Sequence, residues 1–173
     1  NLKKCTFCTD QLAFLGFTVS SQGIKVEESK IKAIQEWPSP TTIGEVRSFH
    51  GLARFYRRFV RDFSFIAAPL TSISKKDVSF HWGDKQEKSF DSLKHVLTHE
   101  PILSLPDFSK MFEIECDASE IGIEDVLIKD GCPVAYFSEK LNGAILSYII
   151  YYRELYALIL AFQVWQHYPH PTE

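Results

Sequence analysis

The sequence lacks the long apolar segment of a membrane protein, and no targeting signal opens it. A membrane-spanning helix needs roughly 20 apolar residues, whereas the longest apolar run, residues 155–164, contains Gln163 and follows Arg153 and Glu154. Without a signal peptide, we expect an intracellular protein with no membrane partner, its compartment unspecified. The single methionine is Met111, so we expect an internal segment of a longer polypeptide.

Cysteine is also scarce, with four residues in 173. Because no secretory signal is present, we expect reduced thiols. Cys5 and Cys8 have the spacing of one half of a zinc site, but a structural site needs four ligands. Cys116 and Cys132 do not supply a matching pair. We therefore favour small buried thiols over a zinc site.

The net charge of −3 conceals an asymmetry along the chain. Residues 1–62 carry 10 basic and 6 acidic side chains, and residues 63–173 carry 9 and 16. The first part could contact a polyanion, and the second could hold cations between carboxylates. Solvated polar faces would explain both, and charge alone does not decide between these interpretations.

The first 40 residues predict a small sheet element and a helix. β-Favouring residues at 12–19, a turn at 20–23 and a short apolar run at 24–26 predict a hairpin. Residues 27–37 predict a short helix with Ile31 and Ile34 on its apolar side, ended by Pro38 and Pro40.

A second, arginine-rich helix is predicted from Thr42 to about Val60. Thr42 and Glu45 form a capping-box pattern, and apolar residues recur at helical spacing. Its aromatic side chains fit a core better than a base-stacking platform: Phe49, Phe55, Tyr56, Phe59 and Phe63. Its polar side carries one stripe of basic residues: Arg47, Arg54, Arg58 and Arg61, with Arg57 beside it. Guanidinium groups suit phosphate oxygens, while a solvated face with local ion pairs is the alternative.

The rest of the chain changes from helices to strands near residue 105. Helical stretches are predicted at 63–73 and 84–98, with an N-terminal cap pattern at Asp84 and Glu87. A strand is predicted at 111–117 by its alternating apolar residues, and two more are predicted at 121–128 and 133–137, separated by a turn at Asp130 and Gly131. A long helix follows at 147–167. The fold class is therefore α+β, a helical segment followed by a small sheet with one long helix.

Several strings, in this order, resemble the gypsy-type LTR retrotransposon Pol polyprotein. They are 14–20 (FLGFTVS), 37–40 (WPSP), 46–60 (VRSFHGLARFYRRFV), 65–71 (FIAAPLT), 117–119 (DAS), 135–141 (AYFSEKL) and 153–157 (RELYA). The resemblance implies the end of a reverse transcriptase palm with a primer-grip-like hairpin at 1–26. It implies a helical thumb and connection at 27–104 and an incomplete RNase H-like domain, a truncated sheet with one helix, at 105–173.

The resemblance also implies partners: an RNA–DNA hybrid or DNA duplex, and the remainder of the Pol polyprotein. Phe14 and Gly16 of the hairpin and the five arginines would contact nucleic acid. The Asp-Asp motif that binds the polymerase metals is absent from this sequence, and the resemblance places it before residue 1.

Asp117 and Glu154 match the first two carboxylates of the family's RNase H site. The resemblance makes them catalytic residues and ligands of Mg²⁺ (or Mn²⁺), within a two-metal site that hydrolyses the RNA strand. Without the resemblance, we would read Asp117 as an ordinary strand-end residue and Glu154 as a solvated helix residue. The later carboxylates fall beyond residue 173, so we expect weak or absent metal binding and no turnover by this chain alone.

One departure from the family pattern lies within the second strand. Glu124 and Asp125 stand where the pattern has glycine and alanine. On a half-buried strand one of the two should point inward, which costs several kcal/mol or forces protonation, unless the strand is frayed or bulged there. Three interpretations remain: an incomplete enzyme segment, a non-catalytic nucleic-acid-binding module, or a domesticated structural remnant.

Overall fold

The computed structural model describes residues 7–75, 78–99 and 102–168, and it confirms the α+β class. The first sheet is β1 (Gln11–Phe14), β2 (Phe17–Ser20) and β3 (Gly23–Val26). The helices are α1 (Glu28–Gln35), α2 (Ile43–Phe55), α3 (Phe63–Ile66), α4 (Ala68–Ile73) and α5 (Asp84–His99). The second sheet is β4 (Glu113–Ala118), β5 (Gly122–Lys129) and β6 (Cys132–Lys140), and α6 (Ile150–Val164) follows. Both sheets are antiparallel, with their strands in sequence order.

The predicted hairpin is confirmed, because β2 and β3 pair on either side of the turn after Ser20, but the sheet has a third strand that the sequence pattern did not separate. The run 12–19 is divided by a two-residue turn at Leu15 and Gly16, whose φ angles are 50° and 83°. Two successive positive φ values match the right-handed twist of the flanking strands, which is why such turns connect hairpins. Leucine rarely occupies this conformation, so Leu15 does not indicate a turn, although Gly16 is a residue that favours one.

The caps of the two longest N-terminal helices differ in detail from the predicted patterns. Thr42 Oγ1 accepts the Glu45 amide at 3.2 Å, as predicted, but the Glu45 carboxylate accepts the amide of Thr41 at 2.7 Å instead of that of Thr42. At the start of α5 the Gly83 carbonyl accepts hydrogen bonds from the amides of Gln86 and Glu87. Glu87 accepts hydrogen bonds from Ser39 and from the indole of Trp82, so it ties two connecting segments to the helix.

The hairpin, the helices and the connecting segment share one hydrophobic core. Its fully buried side chains include Ile34, Val46, Phe49, Tyr56, Phe59, Leu70, Phe90, Leu93, Leu97 and Leu103. Leu103 reaches this core because Ile24 and Leu103 exchange both backbone hydrogen bonds, at 2.8 and 2.9 Å. The next residue, Ser104, donates its amide to the Pro133 carbonyl at 2.8 Å. The segment near the predicted boundary is therefore bonded to both sheets.

The second core lies between the β4–β5–β6 sheet and α6. It contains Ile123, Leu127, Val134, Ala157 and Ala161. Within the described residues β4 pairs only with β5, so the other edge of β4 has no strand partner there. The other side of α6 exposes large apolar residues, including Ile149, Tyr151, Tyr152, Ile159 and Phe162.

A junction formed by residues 57–65 joins the two parts of the molecule. Ser64 donates its amide to Ser138 Oγ at 2.9 Å and its hydroxyl to the Ser138 carbonyl at 2.6 Å. The Phe65 ring lies directly over Gly122, where an added Cβ would overlap it. The outer face of the second sheet is thus covered by the helical part of the chain.

We expect Gly23→Ala to lower the free energy of unfolding by about 1–3 kcal/mol, measured by urea denaturation. Gly23 has a φ of 135°, and an added Cβ would overlap the Leu103 carbonyl oxygen. Gly131→Ala is a matched control, because Gly131 also has positive φ (74°) but nothing lies within 4 Å of its added Cβ. Equal losses in the two variants would contradict a special role for the Gly23–Leu103 approach.

Candidate nucleic-acid interface

The hairpin turn presents apolar side chains to solvent. Leu15 is 71% exposed, Phe14 58% and Phe55 51%. The Phe17 ring stacks on Phe55 with centroids 5.3 Å apart, which fixes the exposed ring against the sheet. The prediction that the aromatics of 49–63 form core holds for the other four and is wrong for Phe55.

A hydrogen bond from Tyr56 holds Gly16 in place. The Tyr56 hydroxyl donates to the Gly16 carbonyl at 3.2 Å, and the Glu27 amide donates to the same oxygen at 3.0 Å. An added Cβ would lie 2.7 Å from that hydroxyl oxygen. Gly16 therefore sets the position of the turn, and Phe14 is exposed beside it.

The predicted arginine stripe is interrupted, because α2 ends at Phe55 and not near Val60. A 3₁₀ turn spans Arg57–Phe59, and Asp62 has a left-handed φ of 57° before α3 begins. Arg54 lies in the last turn of α2, while Arg58 and Arg61 lie beyond the helix. The change of direction brings residues 57–65 against the second sheet, a tertiary contact that helical periodicity cannot reveal.

The five predicted arginines have different environments. Arg47 donates to the Ser74 carbonyl at 3.2 Å and is otherwise exposed. Arg58 contacts the Tyr168 hydroxyl at 3.4 Å, and its buried Nε has no hydrogen-bond partner. Arg61 forms an ion pair with Glu124, at 2.7 Å. Arg57 lies over the Phe137 ring, 5.1 Å from its centroid, and Arg54 is exposed.

Arg54 and Arg57 border a cleft of about 290 Å³ between the helices and the end of β6. Its basic lining also includes three residues that sequence reasoning missed: His50, Lys75 and Lys140. His50 could have been found from its position one helical turn before Arg54. Lys75 and Lys140 are 65 positions apart in sequence, and only the folded chain brings them to one cleft.

The cleft is positively charged and contains no lining carboxylate among the described residues. Burial lowers the pKa of Arg57, and the neighbouring Arg54 lowers it further, while Glu139 acts in the opposite direction. Burial also lowers the pKa of His50, again with a contribution from Arg54. Within the described part of the chain, none of the four arginines and lysines here forms an ion pair. The positive charges therefore repel one another, and Glu139 offsets only part of this effect at Arg57.

Asp117 and Glu154 are both exposed and lie on elements that contact each other, β4 and α6. Glu154 borders a small cavity together with Ile114 and Cys116. Successive side chains of a strand point to opposite faces, so Asp117, next to Cys116, is directed to the other face. There it lies opposite Glu124 in the strand register.

These two carboxylates do not fit a two-metal centre. Among the residues that the structure describes, no group of three or more His, Cys, Asp or Glu side chains could hold a metal ion. Mg²⁺ takes oxygen ligands that converge in near-octahedral geometry. Among the described residues, Asp117 and Glu154 supply no such arrangement.

The two unusual acids of β5 point to opposite faces of the sheet. Asp125 is fully buried, with 0% exposure, and neither carboxylate oxygen has a hydrogen-bond partner of normal geometry. Burial raises its pKa to about 6, although the Cys116 thiol opposes this shift. The prediction that one acid points inward is confirmed. The register is regular here, and its only shift lies at Leu127 and Ile128.

Glu124 faces the junction, where burial and a hydrogen bond with Asp62 raise its pKa to about 7, against the effect of Arg61. Its ion pair occupies one of the arginines predicted to bind nucleic acid. Glu124 therefore acts as an internal counter-ion that a glycine at this position would not provide.

The cysteines do not match the expectation of buried thiols throughout. Cys8 and Cys132 are exposed, and Cys116 is half-buried. Burial, with a contribution from Asp125, raises the pKa of the Cys116 thiol to about 12. Cys5, the other half of the suggested zinc pair, lies outside the described residues.

Comparisons with known proteins bear on this architecture. Residues 82–172 match the model of the family described as an RNase H-like domain found in reverse transcriptase. The chain is 38% identical over 171 residues to the retrovirus-related Pol polyprotein from transposon 297 of Drosophila melanogaster, covering 96% of this chain and 16% of that protein. Identity to the Pol polyprotein from transposon gypsy of the same organism is also 38% over 171 residues, covering 92% and 16%.

A solved structure matches at the level of the fold as well. The foamy viral protease-reverse transcriptase in complex with RNA/DNA hybrid superposes with a TM-score of 0.86 and 25% identity, covering 94% of this chain and 23% of that one. The chain belongs to the family of RNase H-like domains found in reverse transcriptases, preceded by a reverse transcriptase region of the gypsy-like Pol polyproteins. It spans 16% of the length of these two relatives. None of the helices in the described ranges is long and apolar enough to cross a bilayer.

We expect Asp125→Asn to stabilise the chain at pH 8 by about 1–3 kcal/mol, and Asp125→Ala to do so as well. The folded-state pKa of about 6 lies above the ordinary 3.8, so the native state binds the extra proton. Stability contributed by Asp125 is therefore complete below pH 4 and is lost as the pH rises through 6. Thermal melting of each variant against the parent chain, from pH 4.5 to pH 8, measures this difference.

The benefit of Asn should shrink as the pH falls toward 4.5. Glu115→Gln is the control for removal of one negative charge, because Glu115 is exposed on the same sheet, on β4. A constant benefit across the pH range, or an equal benefit from the control, would contradict burial of the Asp125 charge.

Proposed function

We propose that this chain binds the sugar–phosphate backbone of an RNA–DNA hybrid or DNA duplex, as a non-catalytic part of a retrotransposon reverse transcriptase. The observation that carries the proposal is the likeness, over 94% of the chain, to a reverse transcriptase whose structure is in complex with RNA/DNA hybrid. Within this proposal, residues 1–26 are the end of the palm, 27–104 the thumb and connection, and 105–173 an RNase H-like domain. The rest of the Pol polyprotein is the chain's other partner.

The proposed contacts are the seven residues of the sequence prediction, now separated by environment. Phe14 is exposed at the hairpin turn, and Gly16 holds that turn in place. Arg47, Arg54 and Arg57 have no carboxylate partner in the described structure and are the available cations. Arg58 is held by Tyr168, and Arg61 by Glu124, so these two would have to exchange partners to contact phosphate.

Hydrolysis is not part of the proposal. The family resemblance assigns Mg²⁺ (or Mn²⁺) to Asp117 and Glu154, and these remain the candidate catalytic and metal-binding residues. With two carboxylates on different faces, the proposed activity of this chain is binding alone.

Replacing Arg47 and Arg54 by Gln should weaken duplex binding on the order of tenfold near 0.1 M salt. Each phosphate contact contributes about −0.9 to the slope of log affinity against log salt on B-form DNA, so the slope should fall by about 2. Fluorescence anisotropy with labelled hybrid and DNA duplex, at several salt concentrations, measures both quantities.

The control is Lys30→Gln with Lys88→Gln, two exposed lysines on α1 and α5 that remove the same charge. Binding by the parent chain that is independent of salt, or absent, would overturn the proposal. Equal weakening of binding by both double variants would mean that the effect comes from total charge and not from Arg47 and Arg54.

At pH 8, where Glu124 with its pKa of about 7 is mostly charged, Glu124→Gln should strengthen binding and increase the salt slope by about 0.9. Glutamine keeps the shape of the side chain but removes the charge that holds Arg61 at 2.7 Å. Glu120→Gln, an exposed position just before β5, is the matched charge control for the same titration. No change beyond that of the control would mean that Arg61 does not reach the backbone.

A further inference from the structure

The cleft between the helices and the end of β6 is built from two distant parts of the chain. His50 and Arg54 come from α2, Arg57 from the following turn, Lys75 from the segment after α4, and Lys140 from the end of β6. The first four belong to the helical part and Lys140 to the RNase H-like sheet. A ligand held here would contact both parts.

Two of the basic side chains of the cleft are held in place by contacts. The Arg57 guanidinium lies on the Phe137 ring, which supports the planar group but supplies no counter-charge. His50 is fixed by a hydrogen bond with Thr71 Oγ1 at 3.1 Å. Glu139, the acid that acts on Arg57, neither borders the cleft nor forms an ion pair with Arg57. Arg54, Lys75 and Lys140 are exposed at the cleft, and cations grouped without a lining carboxylate favour an anionic ligand.

The size of the cleft restricts that ligand. Its volume of about 290 Å³ is at the lower end of the roughly 300–1,000 Å³ typical of ligand pockets. A sugar–phosphate unit fits this space better than a folded acidic segment. Guanidinium forks also match phosphate oxygens in geometry.

We propose that Arg54, Arg57, Lys75 and Lys140 form a phosphate subsite that holds one or two backbone phosphates of the bound duplex across the junction. This inference rests on the proposed function and extends it to two lysines outside the predicted set. Phosphate bound here would bridge the thumb-like helices and the RNase H-like sheet, and its charge would replace the missing counter-ion.

The test compares Lys75→Gln with Lys140→Gln, as a double variant, with the Lys30→Gln and Lys88→Gln control. Both lysines of the cleft are exposed, so folding should survive, and circular dichroism with thermal melting verifies this. We expect the salt slope for hybrid to fall by about 1–2 in the cleft variant and to stay unchanged in the control.

The outcomes separate the two proposals. Salt-dependent binding by the parent chain, with equal slopes for the cleft and control variants, would overturn the subsite and leave the proposed function standing. Absence of binding by the parent chain would overturn both. A competition with poly-glutamate distinguishes phosphate from carboxylate ligands. The phosphate assignment is wrong if poly-glutamate binds the parent chain as tightly as hybrid does and the cleft variant loses both kinds of binding equally.

Discussion

The packing of residues 57–65 on the outer face of β5 and β6 determines the arrangement of the whole molecule. The double hydrogen bond between Ser64 and Ser138 satisfies polar groups that would otherwise be desolvated without partners, which is costly in an interface. Phe65 can approach the sheet only because Gly122 has no Cβ. Once this contact forms, α2 must end at Phe55, since a continuous helix would carry the following residues away from the sheet. The arginine stripe is therefore replaced by a cleft and a set of junction contacts.

The same junction explains why Glu124 and Asp125 have unequal consequences. Glu124 lies on the face that meets the helices, where its ion pair with Arg61 offsets part of the burial that raises its pKa to about 7. Asp125 lies on the opposite face, beneath α6, and forms no ion pair with any described residue. An ion pair offsets part of the cost of burying an acid, whereas an unpaired acid bears all of it. Neighbouring substitutions in one strand thus act differently: one changes the charge available to a ligand, and the other changes the stability of the sheet.

Much of the fold was predictable from the sequence, because local signals govern it. Apolar spacing located α1, α5 and the first strand of the second sheet, and the Thr42 cap marked the start of α2. The Leu15–Gly16 turn and the end of α2 were not predictable, since both depend on tertiary contacts: Tyr56 bonding to Gly16, and Ser64 to Ser138. At the candidate site, the pattern around Arg54 and Arg57 indicated where cations lie. Lys75 and Lys140 required the three-dimensional structure, because no periodicity relates them.

The positive charge of the cleft links the binding of an anion to the stability of the folded chain. Like charges held close together raise the free energy of the folded chain, and the half-buried Arg57 adds a desolvation cost. Any anion that enters the cleft relieves both penalties, and a ligand that binds only the native state stabilises it by mass action. Because Lys140 belongs to the sheet and Arg54 to α2, this stabilisation would act across the junction. If the chain binds nucleic acid as proposed, the free chain would be less stable than the complex, and the charge pattern that makes it so would be the same one that selects the ligand.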